Sequence, residues 1–396
     1  MSPTSLVPAV VAVLAATFFS FLLSRKYQPI ARADRFVSID GLRGYLALFV
    51  FLQHASMWYF YLRSGQRQLP PAQLYTHLGP SSVALFFMIT SFLFFSKLIN
   101  SRNRPFDWER LYIARVLRLT PLYLFSITLM LLIVVLMSAG TLHDSLGKTA
   151  WDVFRWATFT ILGRPDINGL KIADLVVAGV VWTLPYEWVF YLSLPLFALT
   201  VGIRPSRPYL LLGLLAVAGA FIRHFEPNIL LMFAGGISAA ILVRYERFLE
   251  FAASRIAAIV AILCLGAAVA LFPLAYAFAP FVLLAVFFCI VAGGSDLFGL
   301  LTRTAARKLG EMSHSIYMLH GVILYTTFIL IVGAARSRAL SPLGHWAVVV
   351  IGIIPAMLLI CHATFRFIEY PPMQKARDVE KWLKSRPQLR LIKAAS

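Results

Sequence analysis

The sequence predicts an all-α fold, a polytopic bundle of transmembrane helices, and three observations carry that reading. Hydrophobic residues make up 60% of the 396-residue chain and charged residues 13%, whereas a soluble domain is roughly half apolar and a quarter charged. Mean hydropathy is +0.79. Apolar runs of about 17 to 25 residues recur along the chain, the length needed to cross about 30 Å of hydrocarbon. No ten-residue alternation of the kind an outer-membrane barrel requires is present.

In chain order the spans are expected at 5–24, 41–62, 81–98, 119–138, 178–201, 208–223, 229–244, 256–273, 277–293, 315–334 and 345–366. The first is read as an anchor and not a removable signal. Met1 to Val13 carries no basic residue, and the positive charges at Arg25, Lys26, Arg32 and Arg35 follow the apolar run. Residues 1–35 therefore form an N-terminal anchor with a basic loop, 36–372 the main membrane domain, and 373–396 a basic tail. The long connection at 139–177 is turn-rich around Pro165, Asp166, Asn168 and Gly169. Within it, Trp151 to Leu162 is apolar and aromatic but too short to span, which predicts an interfacial or re-entrant helix.

Net charge is +19, yet the basic residues are dispersed through inter-helix loops, which excludes an autonomous nucleic-acid-binding domain. Loops 25–43, 97–118, 202–207, 244–255, 294–314 and 366–396 hold 27 of the 36 Lys and Arg residues, and the alternate loops hold 9. Because cytoplasmic loops carry the excess of basic residues, the richer set is expected inside, with the N-terminus outside and the C-terminus cytoplasmic. Cys264, Cys289 and Cys361 fall within predicted spans and read as small apolar residues. The histidines show no metal-ligand spacing, so no metal is expected. P-loop, nucleophile-elbow and dinucleotide motifs are absent.

One stretch stands out chemically. "FVSIDGLRGYLALFVFLQHA" places Arg43 and His54 eleven residues apart in an otherwise apolar segment. On a helix that spacing returns to within roughly 20° of the same face with a rise of about 16 Å. Arg43 then sits at the inner interface and His54 near mid-membrane, where a polar group is costly and points to function. The alternative is an interfacial arginine that anchors the helix and a histidine hydrogen-bonded to a neighbour.

The same stretch closely resembles the first core helix of the acyltransferase-3 family of integral-membrane O-acyltransferases, whose mark is this R-x10-H spacing. Five further blocks resemble that family in order. "ALFFMITSFLFF" is similar to its second core helix, with Ser91 where the family usually has glycine. "YIARVLRLTPLY" resembles its basic motif through Tyr112, Arg115, Arg118 and Pro121, although the common doubled arginine is single. "WTLPYEWVFYLSLPLF" supplies Trp182, Glu187, Phe190 and Tyr191. "LGEMSHSIYMLH" and "FRFIEYP" resemble the last two helices through Ser313, Tyr317, His320, Glu369 and Pro371.

The resemblance, over about 36–372, implies ten core helices, here with one extra N-terminal helix. It also implies transfer of an acyl group, commonly acetyl, from cytoplasmic acyl-CoA to a hydroxyl of a glycan or glycolipid such as exopolysaccharide or lipopolysaccharide at the inner membrane. The extracytoplasmic esterase-like domain fused to some relatives is not expected; either a separate partner enzyme supplies that step or the step is unnecessary. The residues suit this chemistry independently. A thioester-to-alcohol transfer needs a base, an oxyanion stabiliser and a clamp for an anionic donor. His54 is the candidate base. Glu187 is the intramembrane carboxylate that would orient it, and Tyr191, one turn on, would donate to the oxyanion or cap that carboxylate. Arg43, Arg115 and Arg118 are the candidates for the phosphates of coenzyme A, and topology alone could also account for the last two. A small cytoplasmic acceptor and a secondary transporter remain alternatives, the latter without the repeated halves such folds carry.

The charge count makes a directional prediction. A cysteine replacing Ser64 should react with a membrane-impermeant thiol reagent in intact cells, and one replacing Ser206 only after permeabilisation. Labelling of opposite sidedness would invert the topology.

Overall fold

A computed structural model of the chain describes residues 2–27 and 36–385. The expected basic positions Arg32 and Arg35, and the tail beyond residue 385, lie outside the described residues. The described chain is helical, with one isolated bridge between Ile167 and Leu170. It begins with α1 (Leu6–Lys26), α2 (Val37–Ser64), α3 (Gln73–Asn100) and α4 (Trp108–Met137), followed by the short α5 (Leu146–Ala157) and α6 (Ala173–Val176). Helices α7 (Thr183–Thr200), α8 (Arg207–Ile222) and α9 (Pro227–Leu242) lead through α10 (Glu246–Ala252) to α11 (Arg255–Leu271) and α12 (Phe278–Ala292). The C-terminal part comprises α13 (Thr304–Glu311), α14 (Ser313–Tyr325), α15 (Ala334–Ala339), α16 (Pro342–Ala347), α17 (Ile354–Thr364), α18 (Tyr370–Gln374) and α19 (Ala376–Ser385). π-Helical turns at Thr326–Ile331, Val348–Ile353 and Phe365–Glu369 extend α14 and weld α16, α17 and α18 into one rod.

Every expected span coincides with a helix. Five helical segments among the described residues are long and apolar enough to cross a membrane, or six if α9 and α10, bent by 111°, count as one. Helices α8, α11 and α12 are apolar but shorter. The chain is a multi-pass membrane protein. The interfacial segment starts earlier than expected, at Leu146, because the Ser145 hydroxyl caps it by accepting from Lys148 N at 3.3 Å. It ends at Ala157, before Phe159 and Thr160, both at φ 55°.

Contacts among the connections sort them into two ends. At one, Arg244 reaches Asn100 Oδ1 at 2.8 Å, Ser20 Oγ donates to the Ala305 carbonyl at 2.8 Å, and the Tyr27 and His362 rings lie 4.6 Å apart. At the other, Tyr75 donates to the Ser5 carbonyl at 3.1 Å, Arg338 to that of Leu62 at 2.8 Å, and Gln73 to that of Phe272 at 2.8 Å. The first end gathers the loops richer in Lys and Arg and is called the basic end below. Ser64 and Ser206 are exposed at opposite ends.

Helix α2 runs through the middle of the bundle, buried along most of its length against α3, α13 and α14. Its mid-helix Gln53 and His54 would be costly against lipid, and protein surrounds them instead. The contact with α13 and with the turn before it is backbone to backbone. A Cβ on Gly41 would lie 1.8 Å from the Leu301 carbonyl oxygen, and one on Gly310 only 1.9 Å from that of Asp40. Helices α13 and α14 therefore run beside α2 in the same direction, Gly310 at Asp40 and His320 at His54. The α3 and α9 crossing is as close. Gly236 on α9 leaves room for the Ser91 hydroxyl of α3, which a Cβ there would approach to 2.1 Å.

Gly310→Val should force α13 away from α2. Overpacking of this kind costs roughly 1–3 kcal/mol, so the variant should melt several degrees lower in detergent, measured by thiol-reactive fluorescence as the largely buried cysteines become exposed. An unchanged melting profile would mean that the two backbones separate freely.

Candidate functional site

A cavity of about 280 Å³ lies between α2, α3, α4, α7 and α14, toward the basic end. Arg43 enters from α2, Arg115 and Arg118 from α4, Glu187 and Tyr191 from α7, and His314 from α14. Phenylalanines of α3 line it as well, with Lys97 and Leu111.

Helical spacing delivers each group. Arg115 and Arg118 are three residues apart and share a face of α4. The Arg115 guanidinium carbon lies 4.7 Å from the Phe94 ring centroid and 5.9 Å from that of Tyr191, a cation–π setting that fixes the plane without using the N–H donors. Its Nε has no hydrogen-bond partner. Arg118 lies within electrostatic reach of Arg43, Arg115 and Glu369. Tyr191, one turn after Glu187, donates to Glu187 Oε2 at 2.7 Å. The charges that act most on Glu187 are those of Arg115, Arg43 and Arg118. Glu369, 3% exposed, accepts from Ser315, which also meets Thr364 at 2.9 Å. Three guanidiniums and the Glu187 carboxylate thus line a partly apolar chamber suited to an anion.

His54 does not line this chamber. It lies three turns further along α2, half-buried, with its ring centroid 5.1 Å from that of His320. Among the described contacts none joins Glu187 to His54. The structure thus brings together five of the six expected residues (Arg43, Arg115, Arg118, Glu187 and Tyr191) and places His54 deeper on the same helix as Arg43. Tyr317 stands between the two regions. It lines the chamber, donates to the Val180 carbonyl at 3.0 Å, meets Thr183 Oγ1 at 3.1 Å, and has its ring 6.4 Å from that of His320.

Sequence reasoning did not place His314 in the site. It lines the chamber with Nε2 unpartnered, and its position at the start of α14, six residues before His320, was the available signal. Nor did it pair Glu369 with the arginines. A second cavity, of about 480 Å³, opens at the far end between α7, α8 and the 160–164 turn. Trp182, Tyr186 and Trp188 line it, with Arg164 and Arg223. Arg164 is held by Asp174 at 2.5 Å.

A family model described as an acyltransferase domain matches residues 36–362. No curated protein and no solved structure matches the chain.

Proposed function

The chain belongs to the acyltransferase-3 family and is a membrane acyltransferase, and from that premise we propose that it carries an acyl group, acetyl in the simplest case, from cytoplasmic acyl-CoA to a hydroxyl of an exported glycan. The observation that carries this reading is the convergence of Arg43, Arg115 and Arg118 on one chamber at the basic end. Coenzyme A is a polyanion at its nucleotide end and largely uncharged along its pantetheine arm. Guanidiniums recognise phosphates by paired, directional hydrogen bonds. In this reading the basic end is cytoplasmic, as the excess of Lys and Arg requires.

The nucleotide end of the donor binds the arginines, and the arm follows α2 inward past Tyr317 to His54, about 16 Å along the helix. There His54 takes the proton of the acceptor hydroxyl as its oxygen attacks the thioester carbonyl. The new C–O bond forms, the C–S bond breaks, and the proton passes to the departing thiolate. Glu187, hydrogen-bonded by Tyr191 at 2.7 Å, holds the arginine cluster in shape and acts at the donor end. The far cavity supports a sugar acceptor arriving from outside, because its aromatic faces and two arginines offer stacking and hydrogen bonds together. An extracytoplasmic partner enzyme would act on that same side.

Two substitutions test the assignment in proteoliposomes supplied with labelled acetyl-CoA and a surface glycan. His54→Ala should reduce turnover by at least about 100-fold, the lower range for loss of a general base, with normal insertion and donor binding. Turnover near wild type would remove His54 from the chemistry. Arg43→Lys replaces a planar fork by a point charge and should raise the KM for the donor several-fold at nearly constant kcat. An unchanged KM would assign Arg43 to anchoring alone.

A further inference from the structure

His320 is completely buried on α14. Its Nδ1 lies 2.9 Å from the Ile316 carbonyl oxygen. A carbonyl only accepts, so Nδ1 carries the proton, and a neutral imidazole then has a bare lone pair on Nε2. That Nε2 has no hydrogen-bond partner. An orphaned acceptor at the centre of a membrane protein is a cost that a merely space-filling histidine would avoid.

The ring beside it is His54, with centroids 5.1 Å apart and planes inclined by 37°. Two imidazoles joined by an N–H···N bond of about 2.9 Å have centroids roughly 5 Å apart, the bond plus the two ring radii. The separation is already right, and a turn of the half-buried His54 ring about χ2, a soft torsion, supplies the alignment. Phe51 and Tyr317, each with its ring centroid 6.4 Å from that of His320, hold the His320 ring from two sides. The carboxylate expected to orient His54 is engaged elsewhere, with Tyr191.

We infer that His320 is the positioning residue for His54, its Nε2 accepting the His54 N–H and so fixing the tautomer that turns the other His54 nitrogen, with its lone pair, toward the acceptor hydroxyl. This rests on His54 as the base. As the hydroxyl proton moves to His54, the resulting imidazolium keeps one N–H on His320 and gives the other proton to the coenzyme A thiolate, and His320 ends unchanged. A neutral acceptor does this without placing a second formal charge in the bilayer interior, where ions are expensive.

The test compares His320→Asn with His320→Gln in the full-length protein reconstituted with acetyl-CoA and a surface glycan. Asparagine can reproduce the Nδ1 donor to Ile316 but leaves the place of Nε2 empty, whereas glutamine puts an amide oxygen there. The Asn variant should lose roughly 10- to 100-fold in kcat, a base left in the wrong tautomer, with the donor KM unchanged. The Gln variant should recover most of that loss. Equal kcat in Asn and wild type, or Gln falling as far as Asn, overturns the inference while leaving the donor reading intact. A wild-type protein that turns over no acyl-CoA overturns both.

Discussion

Three guanidiniums inside a helical membrane bundle cannot face lipid, and the architecture follows from how they are enclosed. An unpaired charge in hydrocarbon costs several kcal/mol even on permissive scales, so Arg43, Arg115 and Arg118 must meet protein, water or a ligand. Helices α2, α4, α7 and α14 supply that enclosure, with the Glu187 carboxylate, an aromatic cation–π cradle and a chamber of about 280 Å³. The polar residues are consequently concentrated on the inner helices. Helices such as α8 and α11 present leucines and isoleucines outward instead, Leu215 being 61% and Leu263 65% exposed, as suits surfaces in contact with acyl chains.

Enclosure also dictates close packing. Lipid tails are as apolar as leucine, so helices in a bilayer associate through shape and hydrogen bonds, and small residues let backbones approach. Gly41 and Gly310 bring α2 to backbone contact with α13 and the turn before it, which registers α14 against α2 along its length. That register sets His320 beside His54 and His314 at the level of the arginines. Arg43 and His54 share α2, and α14, running parallel to it, holds a histidine at the level of each.

Much of this was legible in the sequence, for identifiable reasons. The bilayer imposes a minimum length on each apolar run, so the spans could be located without knowledge of packing. Arg43 and His54 were legible because one helix fixes their relation by rise and twist alone. What was not legible depends on contacts between distant segments. Glu187 looked like the partner of His54 because acid–base chemistry commonly pairs a carboxylate with an imidazole, yet its own helix supplies Tyr191 one turn away, and the cross-helix packing turns it to the arginines. His314 and Glu369 join the arginine neighbourhood only through the docking of α14 and the π-helical turn Phe365–Glu369, and no local pattern encodes that docking. The start of α5 was within reach, since Ser145 is a good N-cap residue.

A thioester held near mid-membrane meets two competitors for its acyl group, the acceptor hydroxyl and water, and the separation of the two regions bears on which wins. In the proposed reaction the phosphates need a hydrated, positively charged site, whereas the acyl carbon is best kept where water is scarce. Placing both in one chamber would compromise one of them. The fold places the arginines in the chamber and His54 about three turns deeper on α2, with Tyr317 between, its hydroxyl committed to Val180 and Thr183. A hydroxyl whose hydrogen bonds are already made inside the protein has little left to offer passing water, so on the proposed path of the donor arm Tyr317 is a barrier to water. In the proposed reaction the extended, uncharged arm of coenzyme A suits that path, and the spacing of Arg43 and His54 then sets how far the reacting carbon stands from the charge proposed to hold the donor.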